Sequence, residues 1–284
     1  MPTTPLLPIT APLAVNFHLY KPCNYRCRFC FATYRDIRGH LSLADARALL
    51  RALRGAGAEK INFAGGEPTL HPHIGDLVAD ARGLGFTTAL ITNGARLDVL
   101  LDQHAADLDW VGLSVDSAHE DVQATLGRGT GGHVARSRAH AERIHALGIH
   151  LKLNTVVTSL NWEEDMHDLV CALHPARWKV FQVLAIAGQN DGAVEPLLIT
   201  RDQFAAFVQR HQRLVALGLA PVPEDNDAMT DSYAMVDPLG RFYGNHRGRY
   251  VYSDPILEVG VLPAIRQVDF QIQRLVERGG LYAW

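Results

Sequence analysis

The chain has 284 residues, of which 48% are apolar and 20% charged, and its formal net charge at pH 7 is −3. This composition is typical of a folded globular protein and excludes an intrinsically disordered one. The absence of a dense basic run argues against nucleic acid as a partner. No apolar stretch reaches membrane-spanning length, and residues 1–12 lack a basic segment with a cleavage site. We therefore expect a cytoplasmic protein that does not bind a membrane.

Strand and helix patterns alternate along most of the chain. The predicted strands cover residues 15–20, 60–64, 87–92, 110–115, 150–157 and 178–184. The predicted helices cover residues 43–54, 74–84, 97–108, 134–147, 165–173 and 202–217. Six consecutive βα units predict an α/β fold, a partial (βα)6 TIM-like barrel.

The alternation also divides the chain into three parts. Residues 15–218 are predicted to form the barrel, after an N-terminal extension over residues 1–14. Residues 219–284 are predicted to form a C-terminal extension, with a hairpin within residues 233–243 and a terminal helix over residues 262–278.

Three cysteines follow the first predicted strand: Cys23, Cys27 and Cys30, separated by three and then two residues. Thiols this close in sequence do not easily pair with one another, but they can bind one metal centre. An iron–sulfur cluster normally takes four thiolates, so three would leave one iron open to another ligand. A zinc ion completed by one of the 14 histidines is the alternative, and the spacing alone does not decide between them. The fourth cysteine, Cys171, is predicted to be a buried, inert thiol.

One face of most predicted strands is polar, because side chains alternate between the two faces of a strand. The polar face carries Asn16, His18, Lys60, Asn62, Ser114, Asp116, Lys152 and Asn154. In an ordinary barrel the lumen is filled by Val, Ile and Leu. An unsatisfied polar group inside a protein costs about 1 to 3 kcal/mol, so these groups either satisfy one another or bind a ligand.

The use of lysine is a further signal, since the chain has 23 Arg but only four Lys. Lys60, Lys152 and Lys179 lie on predicted strands, and buried ammonium groups in one lumen need an anion. Lysine binds phosphate as a compact point charge, so a polyphosphate is the natural candidate. Arg128, in the glycine-rich segment 127–132, is either a further cation for an anion or a residue of a solvated turn.

The cysteine spacing, with an aromatic residue just before the last cysteine, resembles the radical S-adenosylmethionine (radical SAM) enzymes. In that family the open iron of a [4Fe–4S] cluster holds the amino and carboxylate groups of SAM. The segment 65–68, Gly-Gly-Glu-Pro, resembles the SAM-binding motif of the same enzymes. The resemblance implies Cys23, Cys27 and Cys30 as cluster ligands. It implies cofactor contacts from Phe29, Gly65, Gly66, Glu67, Asn93, Ser114 and Asn154.

Several further segments resemble the viperin family of radical SAM enzymes. They include residues 16–18, 59–63, 127–129, 177–182, 231–233 and 278–280. The resemblance implies a lyase that converts a ribonucleoside triphosphate to its 3′-deoxy-3′,4′-didehydro analogue, an antiviral chain terminator, with electrons from an external donor. It implies triphosphate binding by Lys60, Lys152, Lys179 and Arg128. It also implies Asn16 near the nucleobase and Tyr233 beside the sugar as a hydrogen or proton donor.

Two departures and two alternatives remain. Gly131 and Gly132 stand where animal members of the family have two lysines, and the segment 241–245 also differs, so no nucleobase is assigned. Two alternative functions stay open. The chain is another radical SAM enzyme that acts on a phosphorylated small molecule, or it is a non-enzymatic protein that binds a cluster or zinc.

Overall fold

Ten strands form one sheet in the computed structural model, which describes residues 13–282. The strands are β1 (Ala14–Tyr20), β2 (Lys60–Gly65), β3 (Thr87–Thr92), β4 (Trp110–Ser114), β5 (His150–Val157), β6 (Arg177–Gln182), β7 (Pro221–Glu224), β8 (Ala234–Val236), β9 (Arg241–Gly244) and β10 (Val251–Pro255). Their order is β10-β9-β8-β1-β2-β3-β4-β5-β6-β7. In this order, all neighbouring strands between β8 and β7 pair in parallel. At the other edge, β9 pairs antiparallel with β8, and β10 pairs antiparallel with β9.

Helices follow the parallel strands. They are α1 (Leu43–Gly55), α2 (Ile74–Gly83), α3 (Leu97–His104), α4 (Glu120–Leu126), α5 (His133–Ala146), α6 (His167–Leu173), α7 (Arg201–Arg210), α8 (Asn226–Met229), α9 (Ile256–Val259), α10 (Val261–Ile265) and α11 (Ile272–Glu277). Short 3-10 turns cover Pro68–Leu70, Ala105–Asp107, Glu195–Leu197, Gln212–Leu217 and His246–Gly248. The predicted α/β fold, a partial TIM-like barrel, is confirmed. None of the helices within residues 13–282 is both long and apolar enough to cross a bilayer.

The two faces of the strands have different tasks. On β1, Val15, Phe17 and Leu19 pack against the buried leucines of α1 in the main apolar core. Fully burying each such side chain contributes about 1.5 to 3 kcal/mol. Ser42 caps the start of α1, because its side chain accepts a hydrogen bond from the Asp45 amide. The core therefore lies between the sheet and the helices, and the polar face of the strands is left for the lumen.

The sequence patterns were wrong at the C-terminal end in two places. Strand β7 continues the parallel sheet, although we expected the alternation to stop near residue 219. Pro221 and Pro223 hid this strand, and proline is tolerated there because β7 is the last strand of the sheet. The predicted helix over residues 262–278 is instead α10 and α11, separated by a turn in which the Gln271 amide donates to the Asp231 carbonyl.

The predicted division of the chain stays a prediction. Strands β7 to β10, from the predicted C-terminal extension, pair within the same sheet as the barrel strands. The predicted extension over residues 1–14 lies almost wholly outside the described residues.

Candidate active site

The polar faces of the strands line one open cavity of about 310 Å³. Every residue that the sequence singled out for a site lines it. These residues are Asn16, Cys23, Cys27, Phe29, Cys30, Lys60, Gly65, Gly66, Glu67, Asn93, Ser114, Arg128, Lys152, Asn154, Lys179 and Tyr233. Along β2, Lys60 lies at the start of the strand and Gly65 at its carboxyl end. The cavity therefore has a cationic end and, beside the β1–α1 loop, a thiol end.

The thiol end is held in place by backbone contacts to the end of α4. The Arg26 amide donates to the Gly127 carbonyl at 3.1 Å, and the Arg28 amide donates to the Leu126 carbonyl at 2.9 Å. Gly127 has a φ of +89°, and a Cβ there would lie 2.2 Å from the Arg26 carbonyl oxygen. Only glycine fits this position, so the glycine-rich segment supports the cysteine loop.

The buried thiols suit a metal centre. Burial raises the pKa of Cys27 to about 12 and that of Cys30 to about 11, so without a metal both stay protonated at pH 7. A metal replaces these protons and compensates the thiolate charge. Within residues 13–282 no three His, Cys, Asp or Glu side chains converge as a site for a single metal ion. Cys23, Cys27 and Cys30 all line the one cavity, so their thiols are available to the irons of a cluster.

The glycine pair after β2 lets two loops approach closely. A Cβ on Gly65 would lie 2.4 Å from the Tyr20 carbonyl oxygen, and one on Gly66 would lie 2.2 Å from the Lys21 carbonyl oxygen. The Gly66 amide donates to the Tyr20 carbonyl at 2.6 Å. The motif therefore packs the end of β2 directly against the start of the cysteine loop.

Glu67 joins the ends of β2 and β3. Its buried carboxylate accepts hydrogen bonds from the Thr69 amide and hydroxyl, from the Thr92 hydroxyl and from the Asn93 amide, at 2.6 to 3.0 Å. Burial raises the pKa of Glu67, and these hydrogen bonds oppose the shift. The Asn93 side-chain amide in turn lies 3.7 Å from the Cys23 sulfur. A contact from Glu67 to a cofactor cation stays a prediction.

The cationic end gathers more positive groups than the sequence showed. The three predicted lysines are joined by Arg177 on β6 and by Arg278 after α11. Burial lowers the pKa of Lys60 to about 7 and that of Lys179 to about 8, and it lowers the pKa of Lys152 well below its usual range.

One carboxylate pairs with two of these cations. Glu224 on β7 is fully buried, and it lies 2.6 Å from the Lys179 ammonium and 3.3 Å from the Arg278 guanidinium. Glu224 is not predicted from the sequence, because Pro221 and Pro223 conceal the strand that carries it. Five basic side chains near one paired carboxylate favour the binding of an anion, which would stabilise their charged forms.

Two aromatic rings pack beside the lysines. The Lys60 ammonium donates to the Tyr282 hydroxyl at 2.9 Å and lies 4.8 Å from the centre of the Trp110 ring. The Arg177 guanidinium lies 4.1 Å from the Tyr282 ring centre, and the Lys152 ammonium lies 5.6 Å from that of Trp110. Cation–π contacts of this kind support charged groups where water is scarce. Side chains alternate along a strand, so Trp110 shares one face of β4 with Ser114, which lines the cavity.

Tyr233 lies between the ion pair and the open cavity. Its hydroxyl donates to the Glu224 carboxylate and accepts from the Lys179 ammonium at 2.5 Å. The Arg278 guanidinium stacks 3.6 Å from its ring centre. Burial raises the pKa of Tyr233 well above its usual value, so the phenol keeps its proton.

Arg128 is paired within the protein. Its guanidinium forms an ion pair with the buried Asp116 carboxylate and lies 5.5 Å from the centre of the Phe29 ring. Burial raises the pKa of Cys27 and Cys30, and the charge of Arg128 opposes both shifts. Arg128 therefore lies near the thiols, and its predicted contact with a triphosphate stays a prediction.

Among the described residues that line the cavity, four buried side-chain atoms have no hydrogen-bond partner. They are His18 Nδ1, Asn62 Oδ1, Asn154 Oδ1 and Arg177 Nε. Burial lowers the pKa of His18 to about 3, so the imidazole is neutral. The strand alternation placed His18 and Asn62 on the polar face but gave neither a role. Buried polar atoms in proteins are nearly always paired, so these atoms mark where a ligand is to be held.

Comparisons with known proteins agree with this geometry. The family model described as the Radical SAM superfamily matches residues 19–170. A protein of Flammeovirga pacifica named S-adenosylmethionine-dependent nucleotide dehydratase is 42% identical over 281 residues, which cover 95% of this chain and 96% of that protein. A protein of Lacinutrix mariniflava with the same name is 41% identical over 282 residues, 95% of this chain, and the chain spans 58% of its length.

A solved structure supports the fold. The crystal structure of Streptococcus suis SuiB bound to S-adenosylmethionine matches with a TM-score of 0.65 and 16% identity, over 82% of this chain and 60% of that one. At this level of identity the likeness shows the fold alone.

Proposed function

The chain belongs to the radical SAM superfamily and, within it, to the S-adenosylmethionine-dependent nucleotide dehydratases, and from this premise we propose that it is a lyase that removes water from a ribonucleoside triphosphate. The proposed product is the 3′-deoxy-3′,4′-didehydro nucleotide. Since this product lacks a 3′-hydroxyl, it would terminate RNA synthesis, which fits an antiviral role. One observation carries the proposal: a single cavity has three thiols at one end and five cations at the other.

The cofactors of the family are a [4Fe–4S] cluster and SAM. Cys23, Cys27 and Cys30 would hold three irons of the cluster, and the donor set leaves the fourth iron to SAM. SAM would lie along the ends of the strands, against Phe29, Gly65, Gly66, Glu67, Asn93, Ser114 and Asn154. When bound there, the two cofactors supply a 5′-deoxyadenosyl radical that abstracts the hydrogen atom at C4′ of the nucleotide.

The cationic end would hold the triphosphate. Lys60, Lys152 and Lys179 are buried, and burial lowers the pKa of each, so a bound anion would favour their charged forms. A triphosphate supplies several negative charges and many acceptor oxygens, so it would satisfy these groups together with Arg177 and Arg278.

The ribose would then lie between the two ends of the cavity. With the triphosphate at the lysines and the nucleobase near Asn16, the sugar would face the SAM site. Selection of C4′ over other ribose C–H bonds requires this fixed placement, because electrostatics does not distinguish among them.

Tyr233 would complete the reaction. The 3′-hydroxyl leaves as water after it gains one proton, and the remaining radical gains one electron to form the alkene. A phenol that stays protonated supplies both together as a hydrogen atom. An external donor would then supply one electron, and solvent one proton, to restore the Tyr233 phenol, whose hydroxyl is held in place by Glu224 and Lys179.

The test uses the cluster-loaded protein under anaerobic conditions with reductant, SAM and each of the four ribonucleoside triphosphates deuterated at C4′. We expect deuterated 5′-deoxyadenosine and a nucleotide lighter by one water with at least one base. Deuterium retained in the dehydrated nucleotide would exclude abstraction at C4′. Formation of 5′-deoxyadenosine without a dehydrated nucleotide for all four bases would overturn the dehydratase assignment.

A further inference from the structure

Two walls of the cavity carry the same short pattern. Residues 60–62 on β2 read Lys-Ile-Asn, and residues 152–154 on β5 read Lys-Leu-Asn. In both, the lysine and the asparagine line the cavity and the apolar residue between them is buried in the core. In both, the asparagine Oδ1 has no partner. Asn154 is already predicted to contact SAM, but Asn62 has no assigned role.

The sheet register places Asn62 between the two ends of the cavity. Successive residues of a strand rise about 3.3 Å, so the Cα of Asn62 is about 6 to 7 Å from that of Lys60 and equally far from that of Ala64, which precedes the glycine pair. Asn62 also lies directly beside Asn16 of β1 in the parallel register. The side chain therefore stands at the level between a triphosphate bound at Lys60 and SAM bound at Gly65.

The chemistry of the free atom limits what it can bind. Asn62 is only 8% exposed, and its unpaired Oδ1 is an acceptor. Such an atom requires an O–H or N–H donor, because a buried acceptor without one is costly. Every ribonucleoside triphosphate offers its sugar hydroxyls as donors at this level, whereas an amino group on a base near Asn16 would depend on which base is bound.

We propose that Asn62 is a positioning and specificity-determining residue that accepts a hydrogen bond from the ribose 2′-hydroxyl of the substrate. This inference rests on the proposed function. The 3′-hydroxyl is the poorer partner, because it must gain a proton to leave, and an acceptor at that oxygen would only hold its existing proton. The 2′-hydroxyl is unchanged by the reaction, so a contact to it persists throughout. Asn62 thereby fixes the sugar and selects ribonucleotides over 2′-deoxyribonucleotides.

The test measures binding rather than turnover. Calorimetry on the cluster-loaded protein compares the ribonucleoside triphosphate that binds best, its 2′-deoxy analogue and inorganic tripolyphosphate. We expect the wild-type protein to bind the ribonucleotide about tenfold more tightly than the 2′-deoxy form, the value of one hydrogen bond to a buried acceptor. In Asn62→Ala this ratio should fall to near one, with the affinities for tripolyphosphate and SAM unchanged.

The matched control is Asn154→Ala, which removes the asparagine of the other Lys-x-Asn pattern. It should keep the preference for the ribonucleotide and weaken SAM binding instead. Asn62→Leu, which keeps the size of the side chain without an acceptor, repeats the measurement if the alanine variant does not fold.

Three results would overturn the inference. The first is an unchanged ribonucleotide preference in the Asn62 variants, which would leave the proposed function standing. The second is a joint loss of tripolyphosphate and SAM affinity, which would show a collapsed wall instead of a lost contact. The third is a wild-type protein that binds no nucleoside triphosphate, which would remove the proposed function as well.

Discussion

The two ends of the cavity are built in opposite ways. At the thiol end the protein satisfies its own groups: Glu67 accepts four hydrogen bonds, and Arg128 is paired with Asp116. At the cationic end Lys60, Lys152 and Lys179 have lowered pKa values, and Glu224 is the carboxylate that pairs with the group. The thiol end is therefore held mainly by contacts within the protein, whereas the cationic end gathers basic side chains whose charged forms a bound anion would favour.

This difference indicates two kinds of binding site. A resident cofactor needs a rigid set of ligands that exists before it arrives, and the backbone contacts of the cysteine loop provide it. A substrate that enters and leaves at each turnover can instead be bound by buried basic groups. Its negative charge stabilises their protonated forms while it is bound. The variants below test the two ends separately.

The largest effect is expected at the thiol end. Changing Cys23, Cys27 or Cys30 to Ala should abolish the iron–sulfur absorption of the reconstituted protein and all SAM cleavage, because a cluster on two thiols loses much of its support. The measurement is the visible spectrum and iron content after anaerobic reconstitution. Cys171→Ala is the control, since Cys171 lies on α6 and outside the cavity lining. Loss of the cluster in that variant would mean that the ligands are wrongly assigned.

The second largest effect is expected at Tyr233, the proposed hydrogen donor beside the sugar. Tyr233→Phe removes the hydroxyl that donates to Glu224 but keeps the ring against Arg278. Turnover to the dehydrated nucleotide should fall by about 10²-fold or more, as expected for the loss of a positioned proton donor. Binding of SAM and of the triphosphate, measured by calorimetry, should change little. Normal turnover in this variant would exclude Tyr233 as the donor.

The thiol end was the part of the site that the sequence predicted best. Its ligands lie within residues 23–30, and Gly65 and Gly66 follow the next strand, so local spacing was enough to group them. The physical reason for the glycines, a clash with the carbonyl oxygens of Tyr20 and Lys21, appears only in three dimensions.

The cationic end was predicted only in part. The lysines were recognised from their scarcity and from strand alternation. Their partners come from distant sequence: Lys60 and Tyr282 are 222 positions apart, and Lys179 and Tyr233 are 54 apart. Glu224 was missed because the prolines of β7 concealed the strand. Neither periodicity nor spacing reports such pairings, because only the closure of the sheet brings them together.

The third effect separates the two ends by ligand. Lys60→Ala and Lys152→Ala should each weaken triphosphate binding by about 10- to 100-fold, the usual value of a charge-assisted contact, and leave SAM binding nearly unchanged. Lys21→Ala is the matched control. The Lys21 ammonium donates to the Ile37 carbonyl at 2.8 Å, and Lys21 does not line the cavity. Equal losses of both ligands in the lysine variants would indicate a collapsed barrel.

The smallest effect is a pH dependence confined to the cationic end. Burial, with the neighbouring Arg177 charge, lowers the pKa of Lys60 to about 7, and Asp109 opposes that shift. Burial likewise lowers the pKa of Lys179 to about 8. A bound triphosphate favours the charged ammonium and raises both pKa values. The contribution of the lysine charges to triphosphate affinity is therefore complete below pH 7. It is lost as the pH rises through the pKa values of the lysines in the complex.

Nucleotide affinity should accordingly fall between pH 7.5 and 9, by up to about tenfold per pH unit for each proton taken up on binding. Calorimetry in buffers with different ionisation enthalpies measures this uptake directly, in a range where the triphosphate itself is already fully ionised. Lys60→Arg keeps a charge that does not titrate here, so it should flatten the dependence. SAM affinity should show no matching trend, because the titrating lysines lie at the other end of the cavity. The prediction fails if nucleotide affinity is constant or rises with pH and no protons are taken up. That result would mean that the lysines do not become protonated when the triphosphate binds.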